Sequence, residues 1–162
     1  MTTNLDRRKM KFTGTLIAVK DIEASKRFYS DVLGLNVAAD FGANVTLEGG
    51  VVLQTLETWR QFIRTDDVVF QNNAGELYFE EDNLDAFCGH LKSFNICYIH
   101  ELHEHPWGQR VIRFYDLDKH IIEVAEKLES VIFRFMKQGL SAEETAARMD
   151  IPVDFVKSCM NK

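Results

Sequence analysis

The chain has 162 residues, 46% of them hydrophobic and 27% charged, with a formal charge of -6 and a pI near 5.4. That length supports one full-sized domain or two small modules sharing a core. The acidic balance argues against sequence-independent nucleic-acid binding, which needs Lys and Arg to displace counterions from phosphates, and points to small molecules or proteins as partners.

From Thr13, TGTLIAV alternates like a strand, and DIEASKRFYSDVLG reads as an amphipathic helix capped by Asp21 and stopped by Gly34. LNVAADF, NVTL and VVLQTL follow as short strands split by GA and EGG turns, giving the order βαβββ. The stretch from Glu57 to Asn73, ETWRQFIRTDDVVFQNN, is polar at both ends and apolar in the middle, and reads as an irregular connection or lid. The order then restarts. ELYFE is a strand, NLDAFCGHLKSFN a helix capped by Asn83, and ICYIHEL, QRVIRFY and HIIEVAE are strands. Laying Asn83 on Asp21 sets NLDA over DIEA and Glu76 over Gly14, so the two halves repeat in element order more than in letters.

After Glu126, Leu128, Val131, Ile132 and Phe135 recur at helical spacing, Gly139 stops that helix, and Ser141 with Glu144 forms a capping box for the next. A third helix begins near Pro152. GLSAEETAARMDIPVDFV resembles a helix-turn-helix, but its second helix carries Asp154 and only two lysines, so packing on its own domain or on a partner subunit is favoured over DNA contact. The organisation expected is a core over residues 12–126, in units 12–56 and 75–126, with a helical extension over 127–162.

The doubled βαβββ unit, with VKDIEASKRFYSDVLGL opening the first copy and FYDLDKHIIEV closing the second, resembles the vicinal oxygen chelate superfamily of glyoxalases, bleomycin-resistance proteins and extradiol dioxygenases. Leu117 and Lys119 stand where the family turn has proline and glycine, while Asp116 and Asp118 still favour a turn. The resemblance implies an α+β fold in which paired units curl a mixed sheet around a shared cavity. Units of this family pair within a chain or between two chains, and a homodimer is expected. By strand parity Ile122 and Val124 share one face of the last strand and Glu123 points to the other, toward that cavity.

The resemblance also places metal ligands on the first and last strands of each unit. Here those positions hold Gly14, Gln54, Glu76 and Glu123, so a divalent ion such as Mg2+, Mn2+, Ni2+ or Zn2+ would be held by Gln54, Glu76 and Glu123. The other reading of the same residues puts Glu76 in solvent and pairs Glu123 with Arg110 or Arg113. If the protein is a metal-dependent lyase or dioxygenase of glyoxalase type, Glu76 or Glu123 moves the proton while the metal polarises vicinal oxygens. If it is a binder it needs no cofactor, and a small molecule lies between aromatic walls. Trp59, His103, His105, Trp107 and Arg110 are the candidate ligand contacts, from the titratable HELHEHPWGQR and from the connecting segment. A ligand-sensing regulator using the C-terminal helices is the third possibility.

No GxGxxG, Walker A or GxSxG motif supports a nucleotide cofactor or a serine hydrolase. No apolar run reaches the roughly 20 residues that span a bilayer, and the opening MTTNLDRRKMKF has no signal-peptide core, so a cytoplasmic protein is expected. Cys88, Cys97 and Cys159 have neither CxxC nor zinc-ribbon spacing, and buried or idle thiols are expected.

Overall fold

A computed structural model describes residues 10–161. The N-terminal stretch read for a signal peptide therefore lies, up to Lys9, outside the described residues. Contacts divide the chain at Val68/Val69 into two compact units.

The first unit runs β1 (Thr15–Val19), α1 (Ile22–Leu33), β2 (Val37–Asp40), β3 (Asn44–Leu47), β4 (Val51–Thr55) and α2 (Leu56–Ile63). Its sheet has the order β1-β4-β3-β2, with β1 and β4 parallel and the other pairs antiparallel. The α1 start is fixed by the Asp21 carboxylate, which accepts from the Ala24 amide, and its end by Gly34 in the left-handed region. One face of the sheet is apolar and buried through Ile17, Val19, Val45, Leu47, Val51 and Leu53, with Tyr29 and Val32 of α1 also buried. The Glu57–Asn73 segment departs from the irregular connection expected, because its first part folds as α2. The apolar residues Leu56, Trp59, Phe62 and Ile63 recur at helical spacing, and this periodicity prevails over the polar flanks.

The second unit repeats the plan with β5 (Glu76–Glu81), α3 (Leu84–Leu91), β6 (Cys97–Glu104), β7 (Arg110–Tyr115) and β8 (Ile121–Glu126), in the order β5-β8-β7-β6 with β5 and β8 parallel. Ile112, Phe114, Ile122 and Val124 are buried on the face that meets α3, where Leu84 and Leu91 are buried too. The expected turn at Asp116 forms: the Asp116 carboxylate accepts from the Asp118 and His120 amides and from the His120 ring at 2.8 Å.

Three helices belong to this unit as well: α4 (Leu128–Lys137), α5 (Ala142–Met149) and α6 (Val153–Met160). The Ser141/Glu144 capping box is present. Val131, Ile132, Phe135, Ala146, Met149, Val156 and Cys159 form a core of their own among these helices. The bundle is also clamped to the sheet by a buried carboxylate. Glu126 accepts from Arg110 of β7 at 3.1 and 3.2 Å and from Arg134 of α4 at 3.0 and 3.2 Å. Arg134 also donates to the Gly108 carbonyl in the β6–β7 turn, and Phe135 packs where a Gly108 side chain would project. On α6, Lys157 is paired with Glu143 at 2.8 Å, which removes one of the few cations a DNA backbone would need.

Burial alone raises the pKa of Glu126, but hydrogen bonds from Arg134 and Arg110 outweigh it and hold the carboxyl below its ordinary range. A carboxyl depressed in the folded state adds stability that is fully present above its unfolded value, about 4.3, and is lost as pH falls through the lower folded value. Glu126→Ala should therefore lower stability at pH 7, by less than the about 3–5 kcal/mol of a wholly buried pair because Arg110 and Arg134 keep Asp85 and Glu104 as partners. In thermal melts the gap to wild type should narrow steadily below about pH 4. A gap that is absent at pH 7, or independent of pH, would contradict the clamp.

Candidate functional site

Strand register assigns the faces of the second sheet. Glu123 of β8 lies beside Tyr78 of β5 and Arg113 of β7, so Glu76, Tyr78 and Glu80, then Ile121, Glu123 and Ala125, then Val111, Arg113 and Tyr115 share the face opposite α3. In β6, His100 pairs with Arg113 and His103 with Val111, across two register shifts. Those shifts matter, because residues three apart in a regular strand point to opposite faces, and the irregularity brings both imidazoles to the same one.

Arg113 stands at the centre of this face. Its Nε donates to Glu76 Oε2 at 2.9 Å, its Nη2 is in direct ionic contact with Glu123 Oε2, and its Nη1 lies 3.3 Å from His100 Nε2. Glu123 is buried at 5% exposure, while the Glu76 side chain at the sheet edge is about one-third exposed at 34%. His100 Nδ1 lies 2.8 Å from the Glu101 carbonyl. That acceptor fits an Nδ1–H, which leaves the Nε2 lone pair directed at the guanidinium. Of the two cations weighed for Glu123, Arg113 is the partner.

From His100 the imidazoles continue as a ladder. The His100 and His103 rings are 5.9 Å apart, those of His103 and His105 are 5.6 Å apart, and His105 stacks on Trp107 at 4.2 Å. The turn that carries Trp107 closes through Gly108 N–H donating to the His105 carbonyl at 2.8 Å, with Gly108 at φ +91°. Trp107 Nε1 donates to Gln109 Oε1 at 3.2 Å, and Gln109 Nε2 donates to the Glu126 carbonyl at 2.9 Å. Tyr78, half exposed at 51%, also hydrogen-bonds Gln109 and donates to Glu80. The face thus combines one partly buried ion cluster with exposed aromatic surface.

The residues expected to form the site separate as follows. Glu76, Glu123 and His103 share this face, with His105 and Trp107 at its hairpin end. Arg110 lies on the opposite face, held by Glu126 and by Asp85 of α3 at 3.0 Å. Gln54 and Trp59 belong to the first unit. The Gln54 amide is buried, accepts from Asn44 at 2.7 Å and donates to Thr58. Gly14 has no side chain for a local reason: an added Cβ would run into the Gly50 carbonyl, where the chain enters the parallel β1–β4 pair. Among the described residues no group of three or more His, Cys, Asp or Glu is placed to hold a metal ion. The donors expected for a metal are instead spent on Arg113, Asn44 and Thr58, so as folded they do not fit one. Tyr78 and Gln109 were absent from the set the sequence suggested, and Arg113 entered it only as one of two possible partners for Glu123. The alternation of QRVIRFY opposite HIIEV is the signal that could have chosen Arg113 over Arg110.

His105 is held below the ordinary histidine range, first by burial and then by the positive charge of Arg113 and by His103 and His100. The stacked ring should therefore stay neutral at pH 7 and gain its proton only below about 6.5. An imidazolium against an indole quenches its emission. Trp107 fluorescence, measured in a Trp59→Phe background, should fall on acidification with a midpoint below about 6.5 and lose that step in His105→Asn. A midpoint at or above the ordinary value would contradict the packing described.

The chain was compared with known families and structures. A family model described as a glyoxalase-like domain matches residues 12–129, which leaves most of α4 and all of α5 and α6 outside it. A protein of unknown function from Agrobacterium tumefaciens str. C58 is 38% identical with a TM-score of 0.67, over 77% of this chain and 100% of that one. A glyoxalase/bleomycin resistance protein/dioxygenase from Nocardioides is 20% identical with a TM-score of 0.60, over 75% of this chain and 85% of that one. A lactoylglutathione lyase from Agrobacterium tumefaciens is 22% identical with a TM-score of 0.56, over 73% and 94%. The last two likenesses concern the fold alone. No curated protein matches the chain. The family match, over most of a chain that repeats βαβββ twice, makes this protein a member of the glyoxalase-like domain family of the vicinal oxygen chelate superfamily.

Proposed function

We propose that the protein binds a small aromatic or amphipathic molecule against the open face of the second sheet, and that it does so without a metal. The observation that carries this reading is the contrast within that face. Glu76 and Glu123, the two carboxylates a glyoxalase-type reaction would use, are both engaged by Arg113, while Tyr78 and Trp107 remain 51% and 39% exposed. Burying a flat ligand against those rings supplies attraction, and His103 and His105 offer polar groups for orientation.

The lyase alternative requires an open coordination position and a base free to move a proton. Glu123 is poorly suited to that work. To take a proton it must first give up a buried ion pair, and breaking such a pair costs about 3–5 kcal/mol. A homodimer and a cytoplasmic location belong to the same reading, the first suggested by the family likeness and the second by the lack of a long apolar run among the described helices. The regulator alternative draws support from one contact: Arg134 and Phe135 of the C-terminal bundle grip Gly108, the residue after Trp107. Ligand contact at Trp107 would then be felt by α4.

The test is a tryptophan-fluorescence screen of aromatic compounds with and without chelator, run beside an assay with the methylglyoxal–glutathione adduct. Chelator-insensitive quenching that is lost in Trp107→Phe, with no turnover of the adduct, is the expected result. Turnover at an ordinary enzymatic rate of about 1 per second or faster, abolished by chelator and restored by a divalent ion, would replace the binder with the lyase.

A further inference from the structure

We infer that the C-terminal bundle is a latch on the ligand face, in which Arg134, Phe135 and Arg148 fix the hairpin tip that carries Trp107. The inference deepens the binding reading above, on which it rests for the role of the indole, by naming what holds that indole in place. The tip runs from Glu104, the last residue of β6, to Arg110, the first of β7, and it is gripped on both sides of Trp107. Ahead of the indole, one oxygen of Glu104 meets Arg134 of α4 at 3.4 Å and the other meets Arg148 of α5 at 3.7 Å. Behind it, the Gly108 carbonyl accepts from Arg134, and the Phe135 ring fills the position where a Gly108 side chain would stand.

Two features separate this grip from an incidental contact. Phe135 is 4% exposed and belongs to the apolar core of the three helices, so the tip rests on a residue that the bundle itself holds in place. The two arginines that reach Glu104 also lie over the Phe135 ring, at 5.0 Å for Arg134 and 5.9 Å for Arg148, which ties the polar half of the latch to the apolar half. Gly108, at φ +91°, supplies both the left-handed turn and the bare Cα that lets Phe135 approach. Holding the indole still before a ligand arrives removes part of the ordering cost of binding, so a loosened latch weakens any ligand that stacks on Trp107. The coupling is reciprocal: a ligand that favours the latched tip stabilises the grip of α4 and α5 by the same free energy. Arg134, Phe135 and Arg148 lie beyond residue 129, where the family match ends, so this control belongs to the helical extension.

The experiment follows Trp107 as the sole tryptophan, in a Trp59→Phe background of the full chain, by acrylamide quenching with no ligand present. Phe135→Leu keeps an apolar residue in the bundle core but withdraws the ring from Gly108, and Glu104→Gln removes the charge that Arg134 and Arg148 share. Arg134 is left intact, because the Glu126 clamp depends on it too. Each variant should raise the quenching constant by about twofold or more as the tip opens locally, with the helical circular dichroism retained. Val156→Ala, a core change on α6, which carries no latch residue, should lower the melting temperature and leave the quenching constant unchanged. Quenching in Phe135→Leu and Glu104→Gln equal to that of the parent, or an equal rise in Val156→Ala, overturns the latch. If Phe135→Leu fails to fold, Glu104→Gln decides alone. Calorimetry with 2-naphthol, a flat aromatic probe, reads the consequence for binding: affinity should fall by about twofold or more in the loosened variants. Unchanged affinity beside raised quenching overturns the coupling. If 2-naphthol binds neither form, the binder reading loses support, while the acrylamide comparison still decides the latch.

Discussion

The constraint on which the second unit depends is a pair of cross-strand ion pairs between its two central strands, one on each face. Strand β8 carries Glu123 and Glu126, and strand β7 carries Arg113 and Arg110. In each strand the two charges are three apart, so strand alternation sends them to opposite faces. Arg113 meets Glu123 on the open face, and Arg110 meets Glu126 on the helix face. A shift of one residue in the β7–β8 register would put the two arginines of β7 on the faces opposite their carboxylates and strand four buried or half-buried charges. Buried ion pairs do not add much net stability over an apolar alternative, but a mispaired one is costly, so their effect here is to select one register.

The two pairs then serve different ends. Glu126 recruits a second arginine from α4, and through Arg134 and Phe135 the C-terminal bundle is joined to the β6–β7 turn. The bundle has its own apolar core, so the helices fold against each other and reach the sheet by a polar clamp and one aromatic ring. Glu123 recruits no helix. It shares its arginine with Glu76, and the open face is left with a largely compensated ion cluster beside exposed rings. A surface of that kind favours ligands that bury flat apolar area over ligands that need a strong field. The family fold is compatible with metal chemistry and with simple binding, so the distinction has to come from these side chains.

Much of the fold was legible because local signals agreed with one another. Asp21 and Gly34 bracket α1, Asn83 caps α3, Ser141 and Glu144 cap α5, and the parity of HIIEVAE assigned Ile122 and Val124 to the packed face and Glu123 to the other. The connection after β4 was read as irregular because its polar residues masked a helical period in its first part, and α2 has no side-chain cap to announce it. The site was harder to read. The register shifts in β6 put His100 beside His103, and nothing in YIHELHEH marks where a strand gains an extra residue. Arg110 and Arg113 were equally good partners for Glu123 on composition, and only the pairing of Arg113 with Glu123 separates them. The role of Gly14 was also hidden, since the carbonyl that excludes a side chain there comes from Gly50, in the turn before β4.

The claim at the centre of this account is that the Arg113 guanidinium is locked between Glu76, Glu123 and His100. Nitrogen-resolved NMR of the arginine side chains measures this directly, because a guanidinium held on several edges rotates slowly and gives separate Nη signals protected from solvent. The account predicts such resolved, slowly exchanging Nη signals for Arg113, unchanged by chelator or by added Mg2+. A single averaged Nη signal in rapid exchange with water, or one that appears only when the ion is removed, would contradict it.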